Sequence, residues 1–295
     1  MRNLYTYDMF LLEYKKGSRT QKLSFEQAVD IYLKNCSNWD LDYENKTQIY
    51  RGVYSSHELF YVNPKESDER RYSANTHGIY NSVFNVTPSW EKAPNREHSL
   101  IMSTSLAVAQ TFGEDYAHLM IPFNNTEIGL CSKDDIWASI PYVRSFLEDK
   151  WYTLEDLDGE IYDFLRNNID EKYLMVNKYG LNNEKTRTDL KNIRENIYEM
   201  FKEIDKLDRS KLNINYSYSK EHTYKLVEVW LAKFPQLKFL DFLKHMLDFD
   251  KNEFKIINSQ NELVKNSEVW SSGEFLGIHE NHINKFIEMV NESNA

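Results

Sequence analysis

The spacing of apolar residues changes twice along the chain, and the changes predict three successive regions. Strand-like apolar runs come first, in "TQIYRGV", "HSLIMSTS" and "YAHLMIPF". Helical spacing takes over from about residue 141 to residue 249. Short strand-like runs then return in "FKIIN", "SEVWSS" and "EFLGI". The simplest packing puts the late strands in the same sheet as the early ones and makes the helical block an insertion.

Helices are predicted at several points by spacing and by capping residues. Ser24 and Gln27 have capping-box spacing at the start of the first helix, whose apolar positions are Phe25, Ala28, Val29, Ile31, Tyr32 and Leu33. Apolar residues from Leu190 to Leu207 recur every three or four positions, which predicts one long helix face. Further helices are predicted in "KEHTYKLVEVWLAKF", "LKFLDFLKHMLDF" and "ENHINKFIEMV", the first two separated at Pro235.

These patterns predict an α+β protein in three parts. Residues 1–140 hold the N-terminal helix and the first part of the core, residues 141–250 form the helical insertion, and residues 251–295 complete the core. Residues 62–98 lack a clear period but contain scattered aromatic residues, so we expect an ordered loop there.

Composition narrows the classes of function. No apolar run reaches the roughly 18 residues of a membrane helix, and the N-terminus has no signal-peptide pattern. Two distant cysteines, Cys36 and Cys131, do not suggest a disulfide framework, so we expect a cytoplasmic protein without membrane contact. The formal net charge of -10 weakens nucleic-acid binding as a hypothesis without excluding a local basic face.

Several common sites have no signature in the sequence. Glycine-rich nucleotide loops and the Gly-x-Ser-x-Gly elbow are absent. His279, Glu280 and His282 lack the further ligands of a zinc site and are more typical of a helix end. We therefore expect no bound metal.

Three short stretches carry candidate chemistry. Tyr50-Arg51-Gly52 ends an early strand, Ser103-Thr104-Ser105 joins a strand to a short helix ending at Phe112-Gly113, and Glu268 lies in a late strand. Each has an ordinary explanation when taken alone. Ser105 can cap the helix through residue 108, Arg51 can be a salt-bridged strand end, and Glu268 can face outward from its strand.

Together, and in this order, the three stretches resemble the Arg-Ser-Glu class of mono-ADP-ribosyltransferases. The resemblance covers about Ile49 to Phe123 and Lys265 to Ile278. The run from "SLIMSTS" to Gly113, and Glu268-Val269-Trp270, also look like uncharacterised phage and bacterial proteins that we associate with this fold. The resemblance implies a split β-sheet core of the ADP-ribosyltransferase type, with NAD+ as substrate and no metal.

The resemblance also implies a role for each matching residue. Arg51, beside Gly52, is expected to bind a phosphate or ribose of NAD+. Ser103 would orient the ribose or Glu268, with Thr104 and Ser105 supporting the loop. Glu268 would bind the ribose 2′-hydroxyl and stabilise the oxocarbenium-like charge. The remaining candidates for the pocket are the aromatic residues Tyr50, Tyr80 and Phe112 and the polar residues Arg71, Asn75 and Arg96.

The acceptor and the biological setting stay open. Asn266 occupies the acceptor-side position where arginine-modifying members of the class have Glu, so either a protein or a nucleic acid is a possible acceptor. A toxin, defence or phage host-remodelling role is implied only by analogy, as is an antitoxin or partner protein on the helical block. The alternatives are an NAD+ glycohydrolase using the same residues and a non-enzymatic structural or binding protein with this fold.

Overall fold

A computed structural model describes residues 20–42, 45–53, 57–66, 79–113, 116–169, 198–216 and 219–294 of the chain. They form a mixed structure of helices and antiparallel strands, as the α+β prediction required. The chain divides into two units. The sheet unit lies within Met1–Ala74, Glu91–Ile136 and Glu253–Ala295, and the helical unit lies within Asn75–Trp90 and Trp137–Asn252. The described residues 79–90 fall within the helical unit.

The sheet unit is built on one nine-stranded antiparallel sheet in the order β1-β3-β11-β5-β2-β4-β10-β6-β9. Early and late strands alternate in this order, so the expectation that they share one sheet is confirmed. The strands are β1 (Gln21–Lys22), β2 (Tyr50–Gly52), β3 (Leu59–Val62), β4 (Leu100–Ser103), β5 (Ala117–Pro122), β6 (Ile128–Leu130), β9 (Lys255–Ile257), β10 (Glu268–Ser271) and β11 (Phe275–His279).

Strand β2 has the smallest registered pairing with a neighbour in this sheet. It pairs with β5 through all three of its residues but with β4 only through Tyr50 and Ser103. The four strands on one side of β2 and the four on the other are therefore joined through three residues.

Helices flank this sheet. The first, α1 (Phe25–Ile31), has the predicted capping box between Ser24 and Gln27 and continues into a π-helical turn, Tyr32–Cys36. Because Ala28, Val29 and Tyr32 are buried in the apolar core, the predicted face is confirmed at these positions. The other helices of the sheet unit are α3 (Leu106–Phe112) and α8 (Ile283–Ser293).

The helical unit packs around a cluster of aromatic side chains. Its helices are α2 (Ile79–Phe84), α4 (Pro141–Leu147), α5 (Leu154–Asn168), α6 (Lys225–Lys233) and α7 (Phe239–Met246), together with helical residues 198–204. Phe164 contacts the rings of Tyr224, Trp230 and Phe239, all of them buried. A short hairpin, β7 (Asn215–Tyr216) and β8 (Ser219–Thr223), precedes α6.

The structure corrects three of the local predictions. The helix expected from Lys220 begins at Lys225, because Ser219–Thr223 pairs with β7 as a strand. Of the long Leu190–Leu207 face, Met200, Phe201 and Ile204 are buried, but Leu207 lies beyond the helix and is 40% exposed. The stretch from 190 to 197 lies outside the described residues. The described part of 62–98 contains α2 and several 3-10 turns, including Pro88–Trp90 and Arg96–His98.

No helix in the ranges that the structure describes is both long enough and apolar enough to cross a membrane.

Candidate functional site

The three hydroxyl residues at the end of β4 all bind backbone groups. Ser105 caps α3, since its Oγ accepts from Val108 N at 3.4 Å, as its spacing predicts. The Oγ of Ser103 accepts from Ser105 N at 3.0 Å. Thr104 Oγ1 donates to Val264 O at 2.7 Å and accepts from Ser267 N at 2.8 Å, which ties the junction to the segment before β10. The trio is therefore a helix cap and an anchor for the Glu268 strand.

Glu268 is the first residue of β10, and in the antiparallel register it lies directly opposite Ser103. Ser103 in turn lies opposite Tyr50 on β2. Side chains of directly opposed residues emerge on the same face of a sheet. An aromatic ring, a hydroxyl and a carboxylate thus form a row across three neighbouring strands, although they lie far apart in sequence.

The carboxylate of Glu268 is held on both oxygens. Oε1 accepts from Arg96 Nη2 at 2.7 Å, and Oε2 accepts from the backbone N–H of Ile136 at 3.2 Å. The exposed fractions of the two side chains are 6% for Arg96 and 12% for Glu268. This is a buried ion pair, whose energetic weight depends on both partners being present.

The indole of Trp270 supports Arg96. The guanidinium carbon of Arg96 lies 5.0 Å from the centre of the Trp270 ring. The indole Nε1 donates to Pro94 O at 2.8 Å, two residues before Arg96. Gly129 lies opposite Trp270 in the neighbouring strand, where a Cβ would overlap the indole. Glu268 and Trp270 are two apart on one strand and therefore share a face.

Arg51 lies one position beyond this row. Because side chains alternate along a strand, it emerges on the opposite side of β2 from Tyr50. Its guanidinium Nη1 donates to the backbone oxygen of Ile101 at 2.7 Å. The ion pair of Glu268 in the described structure is with Arg96. The sequence interpretation placed Arg51 in the catalytic set and Arg96 among the lesser candidates. In the structure the residue that contacts Glu268 is Arg96.

The neighbours of Arg51 across β5 and β11 are His118 and His279. His118 is fully buried, and desolvation lowers the pKa of its imidazole to about 4. Its Nε2 lies 3.0 Å from His57 O. Desolvation also lowers the pKa of His279, so both imidazoles favour the neutral form at neutral pH. His279 caps the turn before α8 by accepting from Asn281 N, which confirms a helix-end role.

Gly52 has a packing explanation that the sequence did not supply. A Cβ on Gly52 would overlap the carbonyl oxygen of Ala109 in α3, and a Cβ on Gly113 would overlap Tyr116 O. The two glycines are themselves in close contact. Their lack of side chains lets α3 lie directly on β2, so Gly52 needs no ligand to account for it.

The remaining predicted residues fall into three groups. Phe112, at the end of α3, is 55% exposed, and Asn266 is exposed at a turn with φ 57°, a conformation that Asn tolerates well. Tyr80 is buried in the helical unit against Phe84, so it is a packing residue there. Arg71 and Asn75 lie outside the described residues.

Sequence reasoning gave Arg96 little weight and did not find Ile136. No local signal marks Arg96 as the partner of Glu268, because the carboxylate and the Trp270 indole come within its reach only when β4 and β10 are paired. No sequence signal marks Ile136, since it contributes a backbone N–H.

The row of Tyr50, Ser103 and Glu268 combines the kinds of group that recognise a polar ligand with a planar ring. A tyrosine ring can stack on an aromatic ligand. Ser103 accepts a hydrogen bond and keeps its own hydroxyl hydrogen for donation. A carboxylate can accept from a sugar hydroxyl and stabilise positive charge nearby. Among the residues that the structure describes, no group of three or more His, Cys, Asp or Glu side chains is placed to hold a metal.

No protein-family model, curated protein or solved structure matches this chain.

Proposed function

We propose that the protein is an NAD+-dependent mono-ADP-ribosyltransferase with a split-sheet core, which transfers ADP-ribose to a macromolecular acceptor. The observation that carries the proposal is the cross-strand row of Tyr50, Ser103 and Glu268. Sequence order alone did not require residues 103 and 268 to be directly opposed. The narrow connection at β2 supports the split-sheet assignment, because it divides the strands into two groups of four.

In this proposal Glu268 is the catalytic residue. Departure of nicotinamide leaves an oxocarbenium-like ribose, and a carboxylate held beside it stabilises that charge. The carboxylate also accepts from the ribose 2′-hydroxyl, and Tyr50 stacks on the nicotinamide ring. Ser103 donates its hydroxyl hydrogen to the ribose or to Glu268. The C–N glycosidic bond breaks, nicotinamide leaves with the bonding electrons, and a nucleophile of the acceptor forms the new bond to the anomeric carbon.

The role of Arg51 in binding phosphate rests on the resemblance alone, because its guanidinium donates to Ile101 O and its strand position places it on the face opposite Tyr50. A second candidate function has one observation in its favour. Both oxygens of Glu268 have partners within the protein, as expected of a structural ion pair in a non-enzymatic binding protein.

Labelled NAD+ separates these functions. Purified protein is incubated with it and with cell lysate, beside Glu268→Gln and the exposed control Glu262→Gln. We expect Glu268→Gln to lower NAD+ consumption by about 100-fold or more, because it removes the charge that stabilises the transition state, and Glu262→Gln to match wild type.

The products then decide the reaction. Label that is removed by protease identifies a protein acceptor, and label removed by nuclease identifies a nucleic acid. Free ADP-ribose without labelled polymer identifies a glycohydrolase instead. Equal and negligible NAD+ consumption by wild type and Glu268→Gln would reject the enzyme and favour the binding protein.

A further inference from the structure

Arg96 has the contacts of a residue that fixes one side chain in place. Its side chain is 6% exposed, and its guanidinium binds Glu268 Oε1 at 2.7 Å and lies 5.0 Å from the centre of the Trp270 ring. Its own backbone begins a 3-10 turn capped by Asn95, whose Oδ1 accepts from Glu97 N at 2.9 Å. The arginine is thus held at its backbone and along its side chain.

The carboxylate it binds would otherwise be poorly fixed. A glutamate at the first position of a strand has three rotatable side-chain bonds, and the other hydrogen bond to its carboxylate in the described structure comes from a single donor, Ile136 N, at 3.2 Å. A planar guanidinium can stack on an indole and donate to a carboxylate at once, which an ammonium cannot do with the same geometry. The arrangement therefore restrains the direction of the carboxylate as well as its position.

We propose that Arg96 is a positioning residue for Glu268, acting through the Trp270 stack to hold the carboxylate beside Ser103. This inference rests on the proposed function. Because the Arg96 side chain has little exposed surface and is occupied by Glu268, it orients the catalytic group and contributes little to NAD+ affinity. A misplaced catalytic group can lower a rate by about 100-fold without loss of substrate binding.

The conservative change Arg96→Lys tests this directly. It keeps the positive charge but loses the planar fork and the stack. Arg209→Lys is a matched control, because the Arg209 guanidinium also lies over an indole, 4.6 Å from the centre of the Trp230 ring, and its hydrogen bonds in the described structure go to the backbone oxygens of Pro235 and Leu237. We expect Arg96→Lys to lower kcat for NAD+ consumption by about 10- to 100-fold with KM changed less than about twofold, and Arg209→Lys to leave both near wild type.

The pattern of kcat and KM decides between explanations. An increased KM with unchanged kcat would show that Arg96 binds NAD+ itself, and unchanged kcat and KM would show that Glu268 needs no such support. Either result overturns the positioning role while leaving the proposed function intact. An inactive wild-type protein overturns both.

A second variant, Trp270→Phe, tests the proposal if Arg96→Lys does not fold. Trp270→Phe keeps an aromatic face under the guanidinium but loses the N–H donated to Pro94 O. Its expected effect is in the same direction and smaller, a fall in kcat of about threefold to tenfold at unchanged KM. Full activity in folded Trp270→Phe would contradict the claim that the stack acts on Glu268.

Discussion

Glu268 in the sheet unit, which is largely buried, and Glu160 in the helical unit, which is almost fully enclosed, are two carboxylates that the protein stabilises in different ways. Glu268 is paired with a cation, Arg96. Among the described residues, Glu160 is bonded by uncharged groups: Oε1 accepts from the N–H groups of Leu226 and Val227 at 2.6 and 3.2 Å, and Oε2 accepts from Tyr152 OH at 2.8 Å. It caps the start of α6 from another helix, where the residue preceding α6, Tyr224, provides no side-chain cap.

The difference shows that a buried carboxylate is not by itself evidence of a site. Burial raises the pKa of Glu160 to about 7, against the lowering effect of Tyr152 and the helix N–H groups. That shift is large, yet every partner of Glu160 is explained by helix packing. Glu268 carries the functional argument through its position opposite a hydroxyl in the strand register. In this molecule geometry separates the two carboxylates where the degree of burial does not.

Removing the cation from the first carboxylate is expected to have the largest effect on stability. Arg96→Met leaves Glu268 buried without its counter-ion and should lower the free energy of unfolding by about 4 kcal/mol. The double variant Arg96→Met/Glu268→Leu should recover most of that loss, because no charge is then stranded. Urea denaturation of the three proteins measures both values. Equal loss in the single and double variants would mean that packing, not charge, explains the effect.

Removing the second carboxylate should cost somewhat less, because no charge is stranded. Glu160→Ala leaves two backbone N–H groups and the Tyr152 hydroxyl without their acceptor and should lower the free energy of unfolding by about 3 kcal/mol. Glu155→Ala, an exposed position in the first turn of the same helix, is the control and should cost about 0.5 kcal/mol or less. Urea denaturation gives the comparison, and similar values for the two variants would argue against the trans cap.

The smallest of the three expected effects on stability is a pH dependence of the unfolding free energy caused by the Glu160 carboxyl. Its pKa is raised from 4.5 to about 7, so the folded state holds this proton more tightly than the unfolded state does. Between these values the folded protein binds more protons, and the contribution of Glu160 to stability is therefore lost as pH rises.

This dependence is measured by comparing wild type with Glu160→Gln, which is neutral at every pH. Between about pH 5 and about pH 8, the unfolding free energy of wild type should fall relative to that of Glu160→Gln by on the order of 2 kcal/mol. Parallel pH curves for the two proteins would show that Glu160 is ionised throughout, with the helix N–H groups outweighing desolvation.

Local spacing was enough to predict the contacts that close within a few residues. Ser24 with Gln27 and Ser105 with Val108 are each three apart, and both caps form as their spacing predicts. The strands around Glu268 and Ser103 were also predicted from their apolar patterns, because such a pattern can be recognised without knowing the partner strand. The helix expected to begin at Lys220 failed because pairing with Asn215–Tyr216 overrides local helical spacing.

Contacts that depend on the assembled fold could not be predicted. Arg96 and Glu268 are 172 residues apart, and Glu160 and Leu226 are 66 apart. Nothing in either local stretch specifies the other member of the pair. The position of Arg51 relative to the row also required the register, because one residue along β2 changes the face on which a side chain emerges. The sequence therefore indicated the candidate strands, and the sheet determined which side chains meet.

The contact between Gly52 and Gly113 joins the helix after Ser105 to the strand that begins with Tyr50. With no side chains between them, α3 and β2 have no layer of rotatable groups that could absorb a relative displacement. The spacing between Tyr50 on the strand and Ser105 at the helix cap is therefore set by backbone contact. We therefore expect a substitution that tilts the helix to displace Tyr50, the aromatic end of the row, as well.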